Sequence, residues 1–486
     1  MLENLIGRKD EIQRLNGCMR ETSAQLIILY GRRRIGKTYL INEFFDGRFD
    51  FKITGSYKEK KDVQLYNFAE ELSNHTGEPI PTPKDWPSAF QLLRRYLSSL
   101  PQPSVPSGDD GSSDENRYRD NKCVLFFDEL PWLNTQNSGF LKAFEHFWND
   151  YACAKHNLVC IICGSATSWM TKNIAENKGG LFDRQTCSIF LKPFTLAQTE
   201  EYLQMRGIDW SRYDIAECYM IMGGIPYYLS LLNPSRSLSD NIDNLFFRKR
   251  SELWNEFQQL YRTLFTSSDQ YIKIVEALSS KRIGLTRNEI LEKTGLPDNG
   301  ALSQKLQDLV SSDFVRVSAQ FGKKNEVYYQ LRDYYTWFYF RFIQGRHGLD
   351  EHFWSHSLGA SSRYVWAGLT YEQVCKDHIA QIKQKIGISA VLTEESSWIS
   401  KEPGAQIDLL IDRRDHVINL CEIKFTENEY TIDKDSDLSL RTKREALRKH
   451  TRKTIQLVLI STYGMKQNKY SSLISKEVIL DDLFQP

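Results

Sequence analysis

The sequence predicts an α/β chain in several domains, and three observations predict it. Short apolar runs of strand length alternate with helical patterns through the first part of the chain, the order of a parallel sheet flanked by helices. Two helical patterns and then two β-type runs fill 266–332. Beyond residue 363 a helix is followed by a pair of short strands. At 486 residues the chain is too long for one ordinary core, so two or three domains are expected.

Lys and Arg number 63 against 62 Asp and Glu, so no global field draws the chain to nucleic acid or membrane. The nine cysteines are scattered and odd in number, which implies no disulfide framework and a reducing compartment. Cys160 and Cys163 form a C-x-x-C, but within the apolar run 158–163, where a buried strand is expected rather than zinc. The start Met1-Leu2-Glu3-Asn4 carries acid early and lacks an apolar h-region, and no apolar segment approaches the ~20 residues of a membrane span. A cytoplasmic protein is expected, with no membrane partner.

The organising stretch is 26–38. An apolar run, Leu26 to Tyr30, leads into Gly31-Arg32-Arg33-Arg34-Ile35-Gly36-Lys37-Thr38, and a helical pattern opens at Lys37-Thr38-Tyr39-Leu40. Gly31 and Gly36 let the backbone turn tightly and aim N–H groups at phosphate oxygens. The helix adds free N–H donors and its positive end. Lys37 reaches the β- and γ-phosphates, and the Thr38 hydroxyl completes a Mg²⁺ shell. ATP and Mg are therefore the expected cofactors, with Gly31 to Tyr39 around the phosphates.

Before this loop, residues 5–20 carry Gly7-Arg8 and then Ile12, Leu15 and Met19 at helical spacing. After it come a helix, a short strand near 49–54 and helices at 64–74 and 86–99. Residues 101–122 are rich in Pro, Ser, Gly and charge; that composition does not offset its ordering entropy, and a mobile insertion is expected there. The pattern resumes with Cys123-Val124-Leu125-Phe126-Phe127-Asp128-Glu129, a buried strand ending in two acids, which looks like a Walker B element. Asp128 would hold the Mg²⁺ shell and Glu129 would polarise the attacking water. A helix at 139–151 and the strand 158–163 follow, the latter ending in Gly164-Ser165. Ser165 is either a sensor of the γ-phosphate or a helix cap. Arg184, after Gly179-Gly180-Leu181-Phe182-Asp183, is either an arginine finger, in cis or from a neighbouring subunit, or a surface arginine at a turn. Gly223-Gly224-Ile225-Pro226 breaks a helical region at 215–232 that looks like a lid.

These features, with Lys192-Pro193-Phe194, resemble in order and spacing the archaeal-type ATPases of the AAA+/STAND group, a prokaryotic family, over roughly residues 1–235. The resemblance gives Gly7 and Arg8 the place of an adenine-side box, against packing on the sheet as the alternative.

Thr286-Arg287-Asn288-Glu289 opens a capped helix, Asn299 to Val310 a second, and strands are expected at 314–319 and 326–331. Helix–turn–helix plus hairpin is the pattern of a winged helix. The second helix carries one cation, Lys305, which favours a packing role over DNA reading. The aromatic run Tyr334 to Phe342 is expected to be core.

Gly368-Leu369-Thr370-Tyr371-Glu372 opens a helix running to about Ile386; Ile407-Asp408-Leu409 and Cys421-Glu422-Ile423-Lys424 lie on the two arms of a strand pair. This set resembles the PD-(D/E)XK nuclease core, with Ile407 where that pattern has proline. The resemblance implies that Glu372, Asp408 and Glu422 ligate Mg²⁺ through hard oxygens and that Lys424, two residues from Glu422 and on the same strand face, orients water or steadies the phosphate. The basic tract Arg441, Lys443, Arg444, Arg448, Lys449, Arg452 and Lys453 either follows a phosphate backbone or is a solvated helix face.

The expected fold is thus α/β: a P-loop parallel sheet with helical lid over 1–235, linker helices and a winged helix over 236–345, then an α/β nuclease-like domain over 346–486. The expected function is an ATP-binding and ATP-hydrolysing switch or motor coupled to a Mg-dependent DNA-nuclease-like domain. The alternatives are an ATPase whose last domain only binds DNA or protein, and a slow STAND-like signalling switch. DNA and a second copy of the chain are candidate partners.

Overall fold

The computed structural model describes residues 5–101, 119–175, 181, 184–346, 348–400 and 404–485. Residues 102–118 of the expected insertion, and Gly179, Gly180, Phe182 and Asp183, lie outside them. The chain divides into two compact units, 1–192 and 193–486.

The first unit is built on a parallel sheet: β1 (Gln25–Tyr30), β2 (Phe51–Thr54), β3 (Cys123–Asp128), β4 (Leu158–Gly164) and β5 (Cys187–Phe190), in the spatial order β2-β3-β4-β1-β5. β4 therefore lies between the loop strand β1 and the acid-bearing strand β3, with Leu29 opposite Cys163 and Phe127 opposite Ile162. The register brings the carboxyl ends of β1, β3 and β4 to one edge, where ligands of α/β sheets bind. β4 is buried along its whole length, Cys160 and Cys163 included, and burial pushes both thiols up. The helices Lys61–Thr76, Trp86–Ser99 and Phe140–Asp150 cover one face through a block of rings that includes Phe68, Trp86, Phe90, Phe127, Phe144 and Phe147. Each such buried side chain contributes roughly 1.5–3 kcal/mol. The second of these helices starts where Asp85 accepts from the Ser88 amide at 2.9 Å, with Pro87 in its first turn.

In the second unit, the helices Leu196–Met205, Arg212–Met222 and Pro226–Ser230 occupy the region expected to be a lid. The glycine pair between the last two has a steric cause. Gly223 ends its helix at φ +67, and a Cβ on Gly224 would sit 2.3 Å from the Phe194 carbonyl oxygen. The aromatic run packs inward as expected: Tyr335, Phe338 and Phe342 are buried, and Tyr339 stacks on Phe257 with centroids 3.8 Å apart.

Next come the helix Ser268–Ser279, β6 (Leu285–Thr286), the helices Arg287–Thr294 and Gly300–Ser311, and the hairpin β7 (Val315–Gln320) and β8 (Lys323–Leu331). Thr286 and Glu289 form a reciprocal cap on the first of those two helices. The far end has the helix Ser361–Asp377, then β9 (Thr393–Ser400), β10 (Ala405–Arg413) and β11 (Val417–Lys424), the helix Lys434–Arg448, β12 (Thr454–Ser461) and β13 (Lys476–Ile479). β9, β10 and β11 are antiparallel neighbours, whereas β12 and β13 run parallel to β11. One eight-stranded mixed sheet, β13-β12-β11-β10-β9-β7-β8-β6, joins the hairpin to the far end and runs through the boundary expected at 345. The joint is small: Gln320 pairs with Ser397, and the Phe321 amide donates to Ser397 O at 2.8 Å.

Candidate functional site

In the first unit, β1 delivers the chain into the loop 31–36 and the helix Lys37–Phe44 takes it out. Gly31 has φ +149, and a Cβ there would lie 2.5 Å from the Leu191 carbonyl oxygen. Gly36 is different: space is open around it, but its φ of +86 favours glycine. Arg34 is also left-handed, at φ 72. Lys37 is buried, and its ammonium donates to Gly31 O at 3.0 Å and Arg32 O at 2.7 Å, so it is held over the loop. Arg32 and Ile35 are buried, Arg33 is half-buried, and Tyr39 is half exposed on the helix.

Gly7 turns the chain at φ 66 and Arg8 goes under the loop. The Arg8 guanidinium donates to Ile35 O at 3.0 Å and Lys192 O at 2.9 Å, and burial lowers it to about 10 against the pull of Glu11. Its visible work is to brace the loop from behind.

Asp128, at the end of β3, is buried and accepts from the Thr38 hydroxyl at 2.8 Å through Oδ2 and from the Glu129 amide at 3.0 Å through Oδ1. Glu129 is left-handed at φ 45, a conformation costing a non-glycine residue about 1–2 kcal/mol. Its carboxylate accepts from both the Ser165 amide, at 3.0 Å, and the Ser165 hydroxyl, at 2.8 Å. Ser165 thus holds the second acid, while the short helix Thr167–Met170 has Ala166 at its cap position and no side-chain cap. Thr38, Asp128, Glu129 and Ser165 form one connected set; Arg184 is exposed. The oxygen donors of Thr38 and Asp128 suit a hard cation such as Mg²⁺.

In the second unit, a cavity of about 780 Å³ is lined by Glu372, Asp408, Glu422, Ile423 and Lys424, together with Arg282, Gln406 and Lys443. The three acids line the same cavity, but each is joined to a cation. Arg282 donates to Glu372 Oε1 at 2.7 Å and also pairs with Asp408. Gln406 Nε2 donates to Asp408 Oδ1 at 2.7 Å. Glu422 binds Lys424 at 2.9 Å and Lys443 at 2.7 Å, so Glu422 and Lys424 do share a strand face. Burial, then Asp408, pushes the Glu372 carboxyl up to about 8. Glu422 is as deeply placed, yet Lys424 and Lys443 outweigh its burial and hold it below the usual carboxylate range. Among the described residues no three His, Cys, Asp or Glu side chains form a group able to hold a metal ion as they stand. The donors are still hard oxygens, and Glu372 Oε2 is buried without a hydrogen bond from the described residues. The set fits a divalent cation chemically.

The basic tract divides. Lys443 goes to Glu422, Arg441 to Asp437 at 2.8 Å and Lys453 to Asp412 at 2.5 Å, while Arg448, Lys449 and Arg452 are exposed. The residue that sequence reasoning missed is Arg282. It sits in the turn between the helix Ser268–Ser279 and β6, far upstream of the acids, with no local motif to mark it.

The chain is 23% identical over 479 residues to an uncharacterized protein of Methanocaldococcus jannaschii, covering 97% of this chain and 96% of that one. It is similar to the Walker-type ATPase of Pyrococcus abyssi, at 17% identity and TM-score 0.43, over 69% of this chain and 96% of that one. It is also similar to the ORC2 protein of Aeropyrum pernix, at 10% identity and TM-score 0.41, over 77% and 95%. Among the described residues no helix is long and apolar enough to cross a membrane. Residues 5–232, just under half of the chain, match the family model of the ATPase domain predominantly from Archaea.

Proposed function

We propose that the chain is an ATP-hydrolysing switch whose nucleotide state governs a Mg-dependent, nuclease-like carboxylate site in its second unit. The observation that carries the first half is the connected set at the sheet edge, in which Thr38 bonds Asp128 at 2.8 Å and Ser165 bonds Glu129. On this reading Lys37 exchanges the carbonyls of Gly31 and Arg32 for phosphate oxygens. The amides of the loop and of the following helix take the remaining phosphate charge. Thr38 and Asp128 would hold Mg²⁺, which neutralises developing charge on the phosphates. Glu129 orients water and accepts its proton; Ser165 fixes the rotamer of Glu129 and is a positioning residue. Arg184, exposed, supplies transition-state charge in cis or to a neighbouring copy.

Lys37→Ala should weaken ATP binding at least a hundredfold in a fluorescent-nucleotide titration. Glu129→Gln should keep ATP affinity and lose about 10²–10⁴ in turnover. Unchanged ATP affinity in Lys37→Ala would sink the proposal. Nucleotide trapped through purification together with negligible turnover would favour the slow-switch alternative.

The second half is supported by Glu372, Asp408, Glu422 and Lys424 lining one cavity. The acids would ligate Mg²⁺ and Lys424 would steady the phosphodiester. The helix-and-hairpin unit preceding it serves as a winged helix in a packing role. A specific observation favours a second reading: Arg282 and Lys443 already occupy those acids, as in a site that only binds DNA or protein. Plasmid incubated with Mn²⁺ separates the two. Nicking abolished by Asp408→Ala supports cleavage; retained DNA binding without nicking in every nucleotide state supports the binding module.

A further inference from the structure

We propose that Arg282 is the built-in competitor of the divalent cation: guanidinium and metal contend for the carboxylates of Glu372 and Asp408, and the ion enters only when Arg282 leaves. The inference rests on the reading that this cavity takes a divalent cation.

The geometry supplies the first reason. One guanidinium reaches two acids from different elements, Glu372 on the helix Ser361–Asp377 and Asp408 on β10. The guanidinium stays charged, and its planar fork presents one donor to each acid in a fixed geometry. Those oxygens are also the hard donors that a Mg²⁺ or Mn²⁺ ion needs.

Charge supplies the second reason. Among the described residues, Lys281, Arg282, Lys424 and Lys443 line the cavity beside Glu372, Asp408, Glu422 and Asp435, and the buried Lys376 ammonium also acts on Glu372 and Asp408. A divalent ion added to a part-buried site that already holds these cations leaves excess positive charge unless one departs. Lys424 and Lys443 are both committed to Glu422, and Lys281 pairs with Glu289. Arg282 is the base held by Glu372 and Asp408 themselves. Glu372 Oε2, buried and without a hydrogen bond from the described residues, marks a donor that Arg282 leaves unused.

The tether is the third reason. The turn carrying Arg282 is closed by the Gly284 amide donating to Lys281 O at 3.0 Å, and is fixed to the hairpin by Gln330 Nε2, which donates to Arg282 O at 2.7 Å. Gly284, at φ +97, lies so close to β8 that a Cβ would be 2.6 Å from Tyr329 O. The guanidinium therefore follows the helix-and-hairpin unit. Whatever shifts that unit against β9 at the Gln320–Ser397 joint moves the competitor with it.

The test is a calorimetric titration of Mn²⁺ into the nucleotide-free full-length chain, with Asp408→Ala as the reference that isolates this site. Arg282→Ala and Arg282→Gln should each bind Mn²⁺ at least tenfold more tightly than wild type, and Arg282→Lys should stay within about threefold of it. The gain should vanish when Asp408→Ala is added. Arg282→Gln keeps a hydrogen-bonding side chain, so the test survives if the alanine variant does not fold. Equal, Asp408-dependent Mn²⁺ affinity in wild type and Arg282→Gln overturns the competition and leaves the metal reading standing. No Asp408-dependent Mn²⁺ binding in folded Arg282→Gln overturns the metal reading and the competition with it.

Discussion

Asp377 shows how much one buried side chain organises. Arg316 and Arg332 both reach its carboxylate, and the Tyr334 hydroxyl donates to it at 2.7 Å. These cations outweigh its burial and hold it at about 2. Asp377→Asn would leave the Arg316 guanidinium without its acid and Arg332 with Asp313 alone, and breaking such a pair costs about 3–5 kcal/mol. Chemical denaturation should show that loss, with Asp415→Asn, at an exposed turn, as the near-neutral control. Gly31→Ala is predicted to cost about 1–3 kcal/mol, because the added methyl meets the Leu191 carbonyl oxygen and the loop must shift. The same shift should weaken ATP binding, which distinguishes it from a remote core mutation in a nucleotide titration. At this scale the sequence was legible where function needs neighbours in the chain. Gly31 to Thr38 and Asp128-Glu129 each announce themselves within a few residues. Ser165 holding Glu129 and Arg282 bridging Glu372 and Asp408 are contacts across the fold, and no local spacing encodes them.

The elements were read with uneven success for a physical reason. Strands buried on both faces, such as β1, β3 and β4, are continuous apolar runs, and helices with a marked start, such as Trp86–Ser99, begin where their caps say. β9 escapes notice because Thr393-Glu394-Glu395-Ser396-Ser397 is polar and half exposed; only its partner strands make it a strand. Helix ends also carry a titration. His378 is buried, donates from Nδ1 to Val374 O at 2.9 Å, and accepts the Leu196 amide on Nε2 at 3.0 Å, closing the start of the helix Leu196–Met205. Acceptance requires the neutral ring, and burial lowers its pKa from the ordinary 6.5. A lowered value means that the contribution to stability is complete above 6.5 and fades as pH falls through the shifted value. Melting temperature should therefore drop as pH is taken below 6.5, and His378→Gln should flatten that limb while lowering the neutral-pH melting temperature.

For the whole molecule, the division at 192/193 falls inside the span 5–232 matched by the ATPase family model. The span matched by that model thus continues from the first unit into the second. If coupling follows that continuity, ATP should change Mn²⁺ affinity at the Asp408 site, and Lys37→Ala should abolish the change in the same calorimetric assay. Equal Mn²⁺ affinity with and without nucleotide would show two independent machines on one chain.

The narrow joint in the eight-stranded sheet also bears on how the chain assembles. Gln320 and Ser397 stand far apart in sequence, with several helices between them, so loop-closure entropy delays their meeting. The hairpin on one side and the far-end strands on the other gain most of their own ladder contacts before the two edges meet. Pulse-labelled refolding should then find the peptide spanning Phe321 among the last to acquire amide protection. It should be the first to lose protection when dilute denaturant is added, with β10 and β11 still closed.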